Sequence, residues 1–232
     1  MKTSPGFVSG LYLLLGAGCA HHAGTGGGSP SYQASASSSG TRSATYTSSM
    51  TQSPEHALYM DMRKLWADHV IWTRDYIIAA VDGSQSADAA AKRLMKNQED
   101  IGKAVGSFYG SQAGNQLTKL LKEHISIAVE LVAAAKADDQ TKFQDQNKRW
   151  KENADQIAVF LSQTNPNWPK ATVADLMSMH LKTTADELNA RLKKDYDKDA
   201  KAFDAVFDHI LHMADVLSTG IIKQFPEKFR ST

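Results

Sequence analysis

A degenerate internal repeat constrains the fold of this chain more than any other feature. Three segments share two apolar residues followed, after two further positions, by a histidine: residues 65–69 (LWADH), 120–124 (LLKEH) and 176–180 (LMSMH). The second copy begins 55 residues after the first, and the third begins 56 residues after the second. A repeat of this length predicts one helix–turn–helix hairpin per copy, with apolar faces buried only against neighbouring hairpins. Chance similarity between amphipathic helices is the alternative explanation.

Helical periodicity of apolar residues runs from residue 55 onward, and no segment shows the alternation of a strand. Glycine, proline and asparagine mark the breaks. We therefore predict an all-α fold, a six-helix bundle built from three degenerate helical hairpins and preceded by a signal peptide and a disordered tether. The helical domain takes residues 56–232, enough for one core of its own. The six predicted helices span residues 57–82, 86–109, 112–137, 140–164, 171–193 and 197–223.

The repeat also places polar residues at one height in the three hairpins. Each histidine of the repeat and its counterpart on the next helix are equidistant from their turn, roughly 20 Å from it at 1.5 Å per residue. If the three turns lie at one end, these residues form a single polar layer near the middle of the bundle. The predicted polar layer consists of His69, Asn97, Asp100, His124, Asn153, Gln156, His180, His209 and His212.

Apolar neighbours three and four residues before each repeat histidine predict that the polar layer is buried. Buried polar groups need partners, and a shared height lets them find one another. Two interpretations follow. The layer is either a hydrogen-bonded network that fixes the register between hairpins, or a metal site built from facing helices.

The third hairpin is the stronger metal candidate, because His209 and His212 lie one turn apart and His180 is level with them. Met177 and Met213 share the faces of these histidines, and such thioethers would favour copper. Three histidines with a carboxylate would favour zinc or iron instead, so the metal stays open. Methionine that merely fills core gaps is the simpler alternative. The candidate metal ligands are His69, Asp100, His124, His180, His209 and His212.

The sequence gives weaker support to other functions. Glu99 and Asp100 near histidines make acid–base chemistry conceivable, but we find no phosphate-binding glycine loop, nucleophile elbow or His-Glu-x-x-His motif, and we predict no catalytic residue. The chain has 26 basic and 25 acidic residues, which argues against binding of nucleic acid. The mixed charges of residues 193–201 predict a solvated turn.

The first 19 residues have the features of an export signal. Lys2 precedes an apolar stretch at residues 7–17, and small residues lead to Cys19, the only cysteine of the chain. The sequence Leu-Gly-Ala-Gly-Cys resembles the lipobox of bacterial lipoproteins, except that Gly16 stands where an aliphatic residue is usual. This resemblance implies lipidation of Cys19, with acyl chains such as palmitate that anchor the protein in a membrane. An ordinary secretory signal, which would give a secreted protein, is the alternative.

Residues 20–55 are predicted to be a disordered tether. They are rich in Gly, Ser, Thr and Ala and span roughly 30–35 Å as a random coil. His21 and His22 within the tether could bind a metal, although histidines in a linker usually do not. No uninterrupted apolar run reaches the roughly 18–20 residues of a membrane-spanning helix.

Together these features predict an exported, membrane-anchored helical binding module with a buried His/Asn/Asp layer, for which a transition metal (copper, zinc or iron) is the candidate ligand. The alternative is a structural or cell-surface interaction lipoprotein without metal or catalysis. The expected location is the cell envelope, at the outer membrane or surface of a Gram-negative host. By analogy with lipoproteins of well-known Gram-negative bacteria, Ala20 rather than Asp after the cysteine favours sorting to the outer membrane. The membrane, reached through the lipid anchor, is the one partner predicted; the protein partner is not identified.

Overall fold

The computed structural model describes residues 53–230, which form six α-helices and no strand. The all-α six-helix prediction is confirmed, with each helix within a few residues of its predicted bounds. The lipobox, Cys19, His21, His22 and nearly all of the predicted tether lie outside the described residues. The helices are α1 (Pro54–Asp82), α2 (Ala87–Tyr109), α3 (Ser111–Lys136), α4 (Gln140–Thr164), α5 (Lys170–Leu192) and α6 (Tyr196–Gln224), followed by a 3-10 turn (Pro226–Phe229).

Helix α1 begins at Pro54, three residues before the predicted start and inside the predicted tether. The Ser53 side chain accepts a hydrogen bond from the backbone N–H of His56 at 3.2 Å, which satisfies one free donor of the first turn. Pro54 suits the first helical position because that position needs no N–H donor. The cap and the proline together therefore extend the helix toward the N-terminus.

The three hairpin turns repeat one backbone conformation. Gly83, Asp138 and Lys194 have φ values of 75°, 54° and 56°, in the left-handed region, and they are separated by the same 55 and 56 residues as the sequence repeat. Glycine adopts this conformation without strain, whereas Asp138 and Lys194 do so at some cost. Asp139 and Asp195 then cap the next helix by accepting a backbone N–H bond. The repeat is thus a structural repeat.

The six helices form a closed ring. Each helix packs against its neighbours in the chain, and α6 packs back against α1. Short turns make neighbouring helices antiparallel, so the three hairpin turns lie at one end of the bundle. Helix α1 also contacts α3 and α5, which brings first helices of the three hairpins together in the interior.

Two contacts between hairpins depend on glycine. A Cβ atom on Gly114 of α3 would lie 2.5 Å from the carbonyl oxygen of Gly102 on α2, so these helices meet backbone to backbone. In the connection between α4 and α5, the buried Trp168 packs directly over Gly220 of α6. Small residues therefore set the spacing between hairpins.

Helix α6 is, among the described residues, the one helix long and apolar enough by length and composition to cross a membrane. Its apolar residues Val206, Ile210, Met213, Leu217 and Ile221 are buried in the bundle. A buried core helix of a soluble bundle can have the same length and apolar composition, so these two properties of α6 are weak support for a membrane span.

Candidate functional site

One hydrogen bond recurs at the same place in each hairpin. A polar side chain of the second helix donates to the backbone carbonyl four residues before the repeat histidine of the first helix. This bond locks the register of the two helices at the height of the polar layer. The pairs are Asn97 Nδ2 with Leu65 O at 2.9 Å, Asn153 Nδ2 with Leu120 O at 3.2 Å, and His209 Nε2 with Leu176 O at 2.9 Å.

Three imidazoles, those of His69, His124 and His180, meet in the interior, and we call them the histidine core. They come from α1, α3 and α5 and are 2%, 2% and 4% exposed. The ring centroid of His180 lies 5.5 Å from that of His69 and 6.1 Å from that of His124. The repeat therefore brings one histidine from each hairpin to the same place.

Hydrogen bonds fix the proton on two of the rings. Asn153 uses its amide N–H on Leu120, so its Oδ1 accepts a bond from Nδ1–H of His124 at 2.8 Å. Nδ1 of His69 faces the amide nitrogen of Gln98 at 3.2 Å, so it accepts, and its proton belongs on Nε2. Nε2 of His124 and Nδ1 of His180 are buried and have no hydrogen-bond partner among the described residues.

Burial keeps the three rings neutral. Desolvation of the charged form lowers the pKa of His69 to about 3 and that of His124 to about 4. Desolvation is also the main cause that lowers the pKa of His180, and the neighbouring histidines add to it. At neutral pH the three rings of the histidine core are therefore uncharged, and only His124 and His180 have a buried ring nitrogen without a partner among the described residues.

Four members of the predicted polar layer are not buried, so that part of the prediction is wrong: His209 is half-buried, and Asp100, Gln156 and His212 are partly or fully exposed. Asp100 is partly exposed and pairs with Lys96 at 2.9 Å, while Gln156 and His212 lie at the surface. The repeat offsets placed these three residues in the layer, three residues after Asn97, Asn153 and His209. Three residues displace a side chain by about 60° around the helix, and in this bundle that displacement is enough to take it off the buried face.

The predicted metal ligands of the third hairpin are consequently not brought together. His209 is half-buried and occupied with its bond to Leu176, and His212 points to the surface. As the side chains stand, residues 53–230 contain no group of three or more His, Cys, Asp or Glu that could hold a metal ion. Of the candidate ligands, the structure gathers His69, His124 and His180.

Gln98 belongs to the site although the sequence analysis did not single it out. It is fully buried, and its amide nitrogen lies between the ring of His69 and the carbonyl of Leu94 at 2.8 Å. A signal was present in the sequence, because Gln98 follows Leu94 by four residues and precedes Ile101 by three.

Three buried methionines line a small cavity near Trp66, and none of the three histidines lines that cavity. Met62, Met177 and Met213 line a buried apolar cavity of about 10 Å³, together with Trp66, whose ring lies 5.8 Å from that of His69. Met177 also lines an open groove of about 560 Å³ between α4 and α5. Trp150 lines the same groove and its ring lies 5.3 Å from that of His124.

A second buried polar cluster joins α1 to the third hairpin. Arg74 bonds Glu187 at 2.7 Å and Asp199 at 2.9 Å, and Arg191 approaches Asp199 at 3.6 Å. Burial raises the pKa of Glu187 to about 7. The expectation that residues 193–201 are a solvated turn is therefore wrong for Asp199, which is buried.

No family model matches the chain, and no curated protein or solved structure is significantly similar to it.

Proposed function

We propose that this protein is an exported, membrane-anchored helical binding module whose histidine core binds one transition-metal ion. One observation carries the metal proposal: three neutral imidazoles from separate helices meet, and two of their buried nitrogens, on His124 and His180, lack partners among the described residues. A buried polar atom without a partner costs about 1–3 kcal/mol, and ligation of a metal would offset that cost.

The spacing of the rings suits a small rearrangement around an ion. Imidazole nitrogens about 2.0–2.1 Å from one metal place their ring centroids about 5–6 Å apart. The distances of 5.5 Å and 6.1 Å from His180 to the other two rings lie at this spacing or just beyond it. The rings would have to rotate to bring their nitrogens to a common point, because the side chains as they stand form no metal-binding group among residues 53–230. Because the rings are neutral, His124 could ligate through Nε2 without losing a proton, whereas His69 would first have to give up its bond to Gln98 or move its proton to Nδ1.

The anchoring part of the proposal rests on the sequence around Cys19. Its resemblance to a lipobox supports a lipid anchor in the cell envelope, with residues 20–52 as a spacer between membrane and helical domain. Replacement of Cys19 by serine is expected to release the protein from the membrane fraction. Retention of Cys19→Ser with membranes after a high-salt wash would contradict the anchor, whatever the metal result.

A structural or interaction lipoprotein without metal is the second candidate. The recurring bond to Leu65, Leu120 and Leu176 favours it, because that bond sets helix register in every hairpin and needs no ligand. In this case the histidines would complete a polar network of the interior and nothing more.

Metal analysis separates the two candidates. The full-length protein is stripped with chelator, re-exposed to copper or zinc, desalted and analysed for metal per chain. We expect one ion in the wild type and in His212→Gln, whose exposed ring makes it the matched control. His124→Gln and His180→Gln are expected to bind none. A wild type without stoichiometric metal, and with a melting temperature that chelator does not change, would leave the structural candidate.

A further inference from the structure

We propose that the groove between α4 and α5 binds a fatty acid, a single hydrocarbon chain with an anionic head group, and that the chain enters the bundle past Trp150. This site is separate from the histidine core and needs no metal. Three features of the structure support it: the open seam between two hairpins, an apolar cavity behind Trp150, and two lysines at one height of the groove.

The seam between the second and third hairpins is less tightly closed than the other two. Gly102 and Gly114 bring α2 against α3 backbone to backbone, and Arg63 pairs with Asp215 where α6 meets α1. Among the described residues, no side-chain hydrogen bond or ion pair joins α4 to α5. A groove of about 560 Å³ lies between these two helices. Small-molecule sites typically have volumes of about 300–1,000 Å³, so this groove is large enough for a ligand.

Trp150 and Ala185 separate the groove from an apolar cavity inside the bundle. Both residues line the groove, and both also line a cavity of about 30 Å³ whose other walls include Ile77, Ile125 and Leu188. The indole N–H of Trp150 is buried and has no hydrogen-bond partner among the described residues, so rotation of the indole breaks no hydrogen bond. A chain that displaced the indole would extend from the groove into the cavity. The apolar walls there favour hydrocarbon and disfavour a polar group.

Lys151 and Lys182 place positive charge on the two sides of the groove, and both are exposed. Each is about twelve residues from the turn of its hairpin, so the two lie at one height, close to the level of Trp150. Lys182 pairs with Asp186 of its own helix at 2.7 Å, whereas Lys151 has no ion-pair partner within the part of the chain that the structure describes. Asp155 is the one acid in the lining of the groove, so the lining is net positive. A carboxylate between the lysines would leave its chain beside Trp150.

Calorimetric titration with fatty acids of increasing length tests the inference on chelator-treated full-length protein. We expect one dodecanoate per chain. Its affinity should exceed that of octanoate by about 2- to 4-fold for each added methylene, because burial of the chain drives binding. Dodecyltrimethylammonium has the same chain and a positive head group. It should bind at least about 10-fold more weakly than dodecanoate, because like charges would meet at the lysines.

Two pairs of variants locate the chain and the head group. Ala185→Leu would fill the passage beside Trp150, and we expect it to weaken dodecanoate binding by about 10-fold or more. Its matched control is Ala171→Leu, at an exposed position of α5 outside the groove lining. Lys151→Gln should weaken binding by about 2- to 5-fold, as is typical of an exposed ion pair. Lys148→Gln, exposed on α4 but outside the lining, should leave the affinity unchanged.

Absence of saturable dodecanoate binding would overturn the inference and leave the groove to another occupant, such as a helix of a partner protein. An affinity that does not depend on chain length would overturn it too, and so would equal affinity for the positively charged amphiphile. Variants that behave like their matched controls would place any binding outside the groove. The metal content of the protein tests the proposed function separately, so the two can fail independently.

Discussion

Asn153 satisfies two buried groups at once, because it donates to Leu120 O and accepts from His124 Nδ1. Replacement by alanine would leave a ring N–H and a cavity, and we expect a loss of about 1–3 kcal/mol in the free energy of unfolding for each unsatisfied group. Gln156→Ala on the same helix is the matched control, because Gln156 is exposed, and it should change stability by less than about 0.5 kcal/mol. Urea denaturation measures both. Equal effects of the two variants would contradict the buried network.

Protonation of single residues should also make stability depend on pH. The unfolded chain takes up protons on His69 and His124 below about pH 6.5, whereas the folded chain keeps them neutral until about pH 3 and 4. Stability contributed by these neutral rings is therefore present above pH 6.5 and is lost as the pH falls below it. Each unit of separation between folded and unfolded pKa is worth about 1.4 kcal/mol.

Glu187 has the opposite effect on the pH dependence of stability, because its pKa in the folded chain, about 7, lies above its pKa of 4.5 in the unfolded chain. The folded chain retains this proton between those values, so the Glu187 contribution grows as the pH falls from 7 to 4.5. For chelator-treated protein we expect a net loss of stability from pH 7 to pH 5 in urea titrations. Glu187→Gln should lose more over the same interval than the wild type. A wild type more stable at pH 5 than at pH 7 would contradict the neutral histidine core.

At the scale of the helix pair, α2 and α3 depend on glycine for their close approach. A Cβ on Gly114 would meet the Gly102 carbonyl oxygen at 2.5 Å, and no rotamer change can relieve a clash with backbone. We expect Gly114→Ala to lower the free energy of unfolding by about 1–3 kcal/mol, although alanine is the better helix former. Asn115→Ala, at the neighbouring exposed position, should have little effect or stabilise slightly. Circular dichroism melts of the two variants test this contact.

At the scale of the whole molecule, stability depends on the contact between the first helix and the last, which closes the ring of six helices. Arg74 of α1 bonds both Glu187 of α5 and Asp199 of α6, and both carboxylates are buried. Arg74→Met would leave these carboxylates without their main partner, and we expect a loss of about 2–4 kcal/mol, because Arg74 itself is partly exposed. Arg63→Met is the control: Arg63 also pairs across α1 and α6, with Asp215, but at the surface. Urea denaturation measures both losses in the free energy of unfolding. Similar losses for Arg74→Met and Arg63→Met would contradict the conclusion that the buried ion pairs of Arg74 stabilise the contact between α1 and α6.

The sequence by itself determined the helices, their pairing in hairpins and the burial of His69, His124 and His180. These features depend on local spacing, because apolar residues three and four positions apart define a buried face and the offsets of 55 and 56 define the repeat. The same reasoning failed for Asp100, Gln156 and His212. Three residues move a side chain about 4.5 Å along the helix and about 60° around it, and only the packed bundle shows whether the new position still faces the interior.

Only the tertiary structure decided how the hairpins meet. From the predicted polar layer it gathers the histidines of α1, α3 and α5, whereas the sequence favoured His180, His209 and His212 of one hairpin as the metal ligands. It also pairs Arg74 with Asp199 across 125 residues of chain. Helical periodicity describes one helix at a time, and closure of six helices into a ring selects the face of each helix that turns inward. Contacts between hairpins follow from that closure, which no local pattern in the sequence encodes.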